Sequence, residues 1–190
     1  MLFVVGGIML LSSIHEPYWR MKMLAPQYPK GLIVNAYLTH LEGDVRELDE
    51  LNHYIGMLPL EKGGTLERSS APAMLIGVSV LLVLAAFVRT RWTILLALPV
   101  LLFPVVFLLD LQGWLSYFGN HLDPHAALSS SIKPFTPKVL GVGLIGQFKT
   151  IAVAGPGFWR AVDAATVVAV GLVVHGVVRR FVKSGTEAGA

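Results

Sequence analysis

A histidine and a methionine four residues apart form the most chemically suggestive pair in this sequence. His53 and Met57 stand in a polar segment of a 190-residue chain that contains no cysteine. On a helix both side chains would lie on one stripe, with Asp49 one turn before His53. An imidazole together with a thioether favours copper, and the thioether prefers Cu(I). The alternative is a helix on which the two residues only pack against the rest of the protein.

A second candidate site surrounds an Asp-Pro turn. His121, Asp123 and His125 occupy alternate positions, and Pro124 keeps the residue before it out of the helical conformation. Alternate side chains in an extended or turned loop could converge on one ion. Histidine and aspartate are ordinary ligands for copper or zinc. The alternative is a solvated loop in which these residues only form the hydrogen bonds of a turn, since short metal motifs often occur by chance.

The composition indicates an integral membrane protein. The chain is 54% hydrophobic and 14% charged, whereas soluble domains carry about 25% charged residues. Its net charge of +3 is not gathered into a basic patch, so no nucleic-acid partner is predicted. The absence of cysteine excludes disulfides, cysteine-ligated zinc, iron–sulfur clusters and covalently attached haem.

Four apolar runs predict an all-α membrane protein with four transmembrane helices, because about 20 apolar residues cross roughly 30 Å of hydrocarbon. The first run is short, and it reaches a usable length only with the aromatic anchors Tyr18 and Trp19 included. A cleaved signal peptide is the alternative, but no basic residues precede the run. The predicted division is residues 1–19 (first helix, an anchor), 20–68 (first extracytoplasmic segment), 69–110 (helical hairpin), 111–157 (second extracytoplasmic segment) and 158–190 (fourth helix and tail).

The two polar segments predict a mixed, loop-rich cap. Residues 31–40 are β-rich and predict a strand. Residues 45–55 place their apolar side chains on one helical face, and the glycine and proline that follow favour the end of that helix at Gly56. His53 and Met57 would project away from this apolar face. The helix itself would therefore not bury either side chain.

The distribution of basic residues predicts the orientation. Arg89 and Arg91 lie in the one short loop between apolar runs, and Arg179, Arg180 and Lys183 follow the last run. The positive-inside rule places both groups, and with four helices both termini, in the cytoplasm. In a bacterial inner membrane the two polar segments then face the periplasm. Five of the six histidines would lie on that side, which fits metal traffic there.

Three motifs resemble a known group of proteins, namely small bacterial membrane proteins encoded with the accessory genes of nitrous oxide reductase, a periplasmic copper enzyme. The motifs are Ala25-Pro26-Gln27-Tyr28-Pro29-Lys30-Gly31-Leu32, Leu51-Asn52-His53-Tyr54-Ile55-Gly56-Met57 and Gly119-Asn120-His121-Leu122-Asp123-Pro124. The resemblance covers most of the chain. It implies a part in copper delivery or assembly, with His53, Met57, His121 and Asp123 in the matching motifs. His125 lies at the border of the pattern.

These observations predict a copper-binding accessory protein that is not an enzyme, since no nucleophile–base or carboxylate pair stands out. Its partners would be membrane lipid and a cuproenzyme or the assembly factors of one. The alternative is a structural accessory subunit of a larger respiratory or oxidase complex, with the same residues at an interface. A non-covalent haem or quinone protein would need paired ligands within the helices, where only His175 stands.

Overall fold

A computed structural model describes residues 1–88, 92–128, 131–145 and 147–187, with side chains up to residue 177. The chain forms two compact units. The first, here called the helix unit, comprises residues 1–13, 72–104 and the part of the chain from residue 159 onward. The second, the sheet unit, comprises residues 14–71 and 105–158. Arg89 and Arg91, and the side chains of Arg179, Arg180 and Lys183, on which the predicted orientation depends, lie outside the described part of the chain.

In the described part of the chain, five α-helices follow one another. They are α1 (Leu2–Ser12), α2 (Val45–Ile55), α3 (Thr65–Phe87), α4 (Trp92–Asn120) and α5 (Pro156–Glu187). Among the described residues, α3, α4 and residues 156–177 of α5 are the three helices long and apolar enough to cross a membrane. The predicted membrane character is therefore supported.

The prediction of four spanning helices is not matched. The α1 helix has 11 residues, which at 1.5 Å per residue extend about 17 Å, against a hydrocarbon thickness of about 30 Å. A short 3₁₀ turn at Ser13–His15 follows it. Tyr18 and Trp19, which were predicted to complete this helix at residue 19, lie beyond its end, and Trp19 is the first residue of a strand.

Within the helix unit, α1 is held against α3 and α5 by small residues. A Cβ placed on Gly6 would stand 2.6 Å from Cγ2 of Val168 and 3.3 Å from the carbonyl oxygen of Ala164. On the α3 side, the hydroxyl of Ser79 donates a hydrogen bond to the carbonyl of Gly7 at 3.3 Å. Close backbone approach of this kind is how apolar helices pack without a hydrophobic driving force between them.

The described residues of the sheet unit form five antiparallel strands in the order β3-β2-β1-β5-β4. The strands are β1 (Trp19–Ala25), β2 (Tyr28–Ala36), β3 (Leu41–Gly43), β4 (Gly141–Ile145) and β5 (Phe148–Ala154). The predicted all-α membrane class is therefore matched only in part, because the cap, predicted to be mixed and loop-rich, contains a sheet to which both polar segments contribute strands. The central contact joins β1 to β5, strands about 130 residues apart, and pairs Met21 with Ala152.

One face of the sheet forms the core. Along β1, the buried side chains of Trp19, Met21 and Met23 alternate with Arg20 and Lys22. Buried residues of β2 and β5 extend the same cluster, and Leu48 of α2 packs into it. The predicted helix over residues 45–55 is confirmed in its bounds. The predicted strand over residues 31–40 is present but begins earlier, at Tyr28, and ends at Ala36.

Candidate metal-binding region

The end of α2 determines the relative orientation of His53 and Met57, the first candidate pair. Gly56 adopts a left-handed backbone conformation (φ +80°) directly after Ile55, the last helical residue, and the N–H of Met57 donates to the carbonyl of Asn52 at 2.9 Å. This is the glycine-terminated helix end that the sequence predicts. Because the helix stops before Met57, that residue does not share the helical stripe of His53. His53 is exposed, whereas Met57 is half-buried.

The two stretches that carry the candidate ligands are in contact. The N–H of Asp123 donates to the carbonyl of Gly56 at 2.8 Å, and the N–H of Leu128 donates to the carbonyl of Tyr54 at 2.9 Å. A Cβ on Gly56 would lie 2.6 Å from the carbonyl oxygen of Asp123, so only a residue without a side chain permits this approach. The loop at residues 121–128 is thus fixed to the C-terminal end of α2.

Asp123 and His125 form a pair at the surface. Oδ1 of Asp123 accepts a hydrogen bond from the N–H of His125 at 2.9 Å and lies 3.3 Å from Nδ1 of the same residue. The backbone hydrogen bond from His125 has the largest effect on the pKa of Asp123 and lowers it. Desolvation, the next largest effect, raises this pKa, but the side chain and charge of His125 and the charge of His53 lower it further, so the net shift is downward. Asp123 is therefore held as an anion, the form that binds metal.

His121 is oriented by the last turn of α4. Its Nδ1 lies 2.9 Å from the carbonyl oxygen of Tyr117, and its ring stacks on the ring of Tyr117 with centroids 4.2 Å apart. A carbonyl oxygen only accepts, so Nδ1 is the donor in this contact, and in the neutral imidazole the lone pair is then on Nε2. Metal-ligating histidines are commonly oriented by a hydrogen bond of this kind.

The region is not a closed metal site. In the part of the chain that the structure describes, no three His, Asp or Glu side chains are grouped closely enough to hold one ion. Asp123 and His125 are in direct contact, and His53 lies within electrostatic reach of Asp123. His121 has its own anchor on Tyr117, and Met57 points elsewhere. An ion bound here would draw on a pair of ligands and on movement of the exposed imidazoles.

Met57 lines an apolar cavity beneath α2. The cavity has a volume of about 50 Å³ and is lined by Met21, Met23 and Trp19 of β1 as well as by residues of α2. Met21 and Met23 were not predicted as ligands from the sequence. Apolar and basic residues alternate strictly along Trp19-Arg20-Met21-Lys22-Met23, a pattern typical of a half-buried strand. This pattern could have predicted that Met21 and Met23 lie on the same buried face.

Asp49, one turn before His53, makes hydrogen bonds that hold the end of the helix. Its Oδ1 accepts hydrogen bonds from the N–H of Leu60 at 2.9 Å and from Nδ2 of Asn52 at 3.4 Å. Burial raises the pKa of Asp49, and the two hydrogen bonds only partly offset that effect. Its carboxylate therefore fastens the chain after α2 to the helix.

Comparisons of this chain with models of protein families, with curated proteins and with solved structures found no match.

Proposed function

We propose that the protein is a membrane-anchored copper-binding accessory protein that takes up copper on the periplasmic side and passes it to a cuproenzyme. The observation that carries the proposal is the contact between the α2 terminus and the loop at residues 121–128, through Gly56 and Asp123. It brings His53 and the Asp123–His125 pair, three residues of types that copper accepts, to one surface. An open, exposed ligand set suits an ion that must be bound and then released.

The membrane context supports the same role. Three helices among the described residues are long and apolar enough to span a membrane. We propose that they anchor the chain and that α1 is a fourth membrane-embedded element. Val5 and Ile8 of α1 are 43% and 62% exposed, a pattern suited to lipid contact. By the positive-inside rule, the basic residues that flank the apolar runs support an orientation with both termini in the cytoplasm. The orientation can be tested because the chain contains no cysteine. Lys133→Cys should react with an impermeant maleimide in intact spheroplasts, whereas Lys183→Cys should not. The reverse result would overturn the proposed orientation.

The partner follows from the resemblance in the motifs. We propose that the partner is nitrous oxide reductase or one of its assembly factors, and that the accessory protein supplies copper for the enzyme. No catalytic step is involved, since the chain needs only to bind and release the ion.

The test is binding of Cu(II), which accepts nitrogen and oxygen ligands, to the full chain in detergent. The combined variant His53→Gln, Asp123→Asn, His125→Gln should bind Cu(II) at least about tenfold more weakly than the wild type, as expected when ligand contacts are lost. His40→Gln is the matched control, because His40 is an exposed imidazole of the same unit that stacks on Tyr37. Nitrogen hyperfine structure in the electron paramagnetic resonance spectrum should disappear in the combined variant only. Equal affinity in all three proteins would remove the proposal.

One observation favours the alternative, a structural subunit of a larger complex. Strand β4 pairs with β5 and ends the strand order, and it exposes Val142 (50%) and Leu144 (75%). Apolar edge strands are templates for pairing with another chain. Stoichiometric co-purification with a respiratory complex, abolished by Leu144→Lys, together with no copper binding by the wild type, would establish this alternative instead.

A further inference from the structure

Three methionines from two separate parts of the sheet unit meet at one cavity. Met21 and Met23 stand two residues apart on β1, so their side chains leave the same face of the sheet, and they are only 9% and 6% exposed. Met57 reaches the same space from the turn that follows α2. The left-handed Gly56 ends the helix directly before Met57.

The cavity is chemically selective. Its volume of about 50 Å³ accommodates an ion, and the described residues that line it are apolar apart from Asn52 and Thr150. A buried water needs two to four polar partners, and hard cations such as Mg²⁺ or Ca²⁺ need oxygen ligands. The thioether sulfur atoms offer what a soft ion prefers, and Cu(I) is the soft ion that thioethers select.

We propose that Met21, Met23 and Met57 bind Cu(I) in this cavity. The inference rests on the proposed function for the identity of the metal and adds an interior site for the reduced ion, distinct from the exposed His53 and Asp123 region. Methionine has three rotatable bonds and a polarisable sulfur, so the three side chains can turn their sulfur atoms towards one ion without a change in the backbone.

The charge of the ion is offset by neighbours of the cavity. The indole of Trp19 lines the wall and is fixed by a hydrogen bond from its Nε1 to the carbonyl of Val139, so its ring is available for a cation–π contact. Asn52 also lines the wall, and its amide donates to the carboxylate of Asp49. The negative charge of Asp49 is thereby coupled to the cavity, which reduces the cost of burying a cation.

The test is an anaerobic titration of the full chain in detergent with Cu(I), in competition with a chromophoric Cu(I) chelator. The triple variant Met21→Leu, Met23→Leu, Met57→Leu should lose one equivalent of tight Cu(I) binding, while Cu(II) binding at the surface remains. Leucine nearly conserves the volume of methionine, so the core should be retained. Met74→Leu is the control, because Met74 lies on α3 in the helix unit and its change should leave the titration unaltered.

X-ray absorption of the wild-type Cu(I) complex gives a readout that does not depend on any variant folding. Sulfur neighbours around copper are expected, and a shell of nitrogen and oxygen alone would overturn the inference. Unchanged Cu(I) binding by the triple leucine variant would also overturn it, and would leave the proposed function standing if the His53, Asp123 and His125 variant still lost Cu(II). A wild type that binds neither ion would refute both. In that case the three methionines only fill the core.

Discussion

At the scale of single residues, Gly56 connects the fold to the candidate site. It ends α2, turns Met57 towards the cavity and accepts, through its carbonyl, the N–H of Asp123. Two independent structural features require glycine at this position. The left-handed backbone disfavours any residue with a Cβ, and the loop backbone leaves no space for one.

Gly56→Ala should therefore destabilise the protein more than Gly141→Ala. Gly141 has a similar left-handed backbone (φ +95°), but a Cβ added there would have no neighbour within 4 Å, so it reports the backbone cost alone, about 1–2 kcal/mol. The additional steric cost at Gly56 should amount to roughly 1–3 kcal/mol. Thermal unfolding in detergent measures the difference. Equal losses in the two variants would show that the loop at residues 121–128 does not press on Gly56.

Asp49 should make stability depend on pH in the acidic range. Burial raises its pKa in the folded protein above the ordinary value of 3.8, so the protonated form is favoured by folding. The contribution to stability is full below the ordinary pKa and is lost as pH rises through the raised pKa of the folded state. Asp49→Asn keeps an oxygen acceptor for the N–H of Leu60 and removes the titration.

The free energy of unfolding should be measured from roughly pH 3 to pH 7, the range that covers this titration. The Asp49→Asn variant should not gain the stability on acidification that Asp49 gives the wild type. Glu50→Gln serves as the control, since Glu50 lies on the exposed face of the same helix, 3.6 Å from Arg46. If Asp49→Asn and the wild type have the same pH profile, burial of the carboxylate does not act as described.

At the scale of elements, the sequence predicts those helices and helix ends that depend on contacts between residues close together in the chain. The α2 helix was predictable because its apolar stripe and the Gly56 terminator are both contained within a short stretch of sequence. The long apolar helices were predictable from length and hydropathy. The end of α4 was not, because the helix continues past Asp110 to Asn120, where the aromatic side chains of Trp114 and Phe118 pack against each other.

The sheet depended on contacts that no local window contains. The strand β1 pairs with β5, which is more than half of the chain away in sequence. Only this pairing places the alternate side chains around Met21 on the buried face of a sheet. Among the candidate ligands, too, some could be predicted from the local sequence and others depend on long-range contacts. The residue types of His53 and Asp123 were visible in the sequence, whereas the meeting of Met21 with Met57 depends on the sheet. The β4 edge strand, rich in glycine, carries no strong strand signal of its own.

The packing of α1 gives a prediction at this scale. Gly6→Ala should destabilise the helix unit by about 1–3 kcal/mol, because its new methyl group would meet Val168, which is fully buried, and the carbonyl of Ala164. Gly77→Ala on α3 has nothing within 4 Å of the added carbon, so helix propensity should make it neutral or slightly stabilising, by up to about 1 kcal/mol. Thermal unfolding compares the two. A neutral Gly6→Ala would mean that α1 does not pack closely against α5.

At the scale of the whole molecule, the chain combines apolar helices with a sheet unit in which both polar segments take part. Strands and loops of the first segment contact those of the second through β1 and β5 and through Gly56 and Asp123. Because each segment is incomplete without the other, the imidazole and carboxylate surface and the thioether cavity both arise only when the full chain folds. Copper binding should therefore be a property of the intact protein.

The copper content of the full chain, purified from membranes of cells grown with copper, tests the proposed role most directly. We expect copper in stoichiometric amount with the wild type. None above background is expected in a combined variant that carries the His53, Asp123 and His125 changes together with the three methionine-to-leucine changes. Wild-type protein with no more copper than the combined variant, both properly folded, would contradict the role in copper handling.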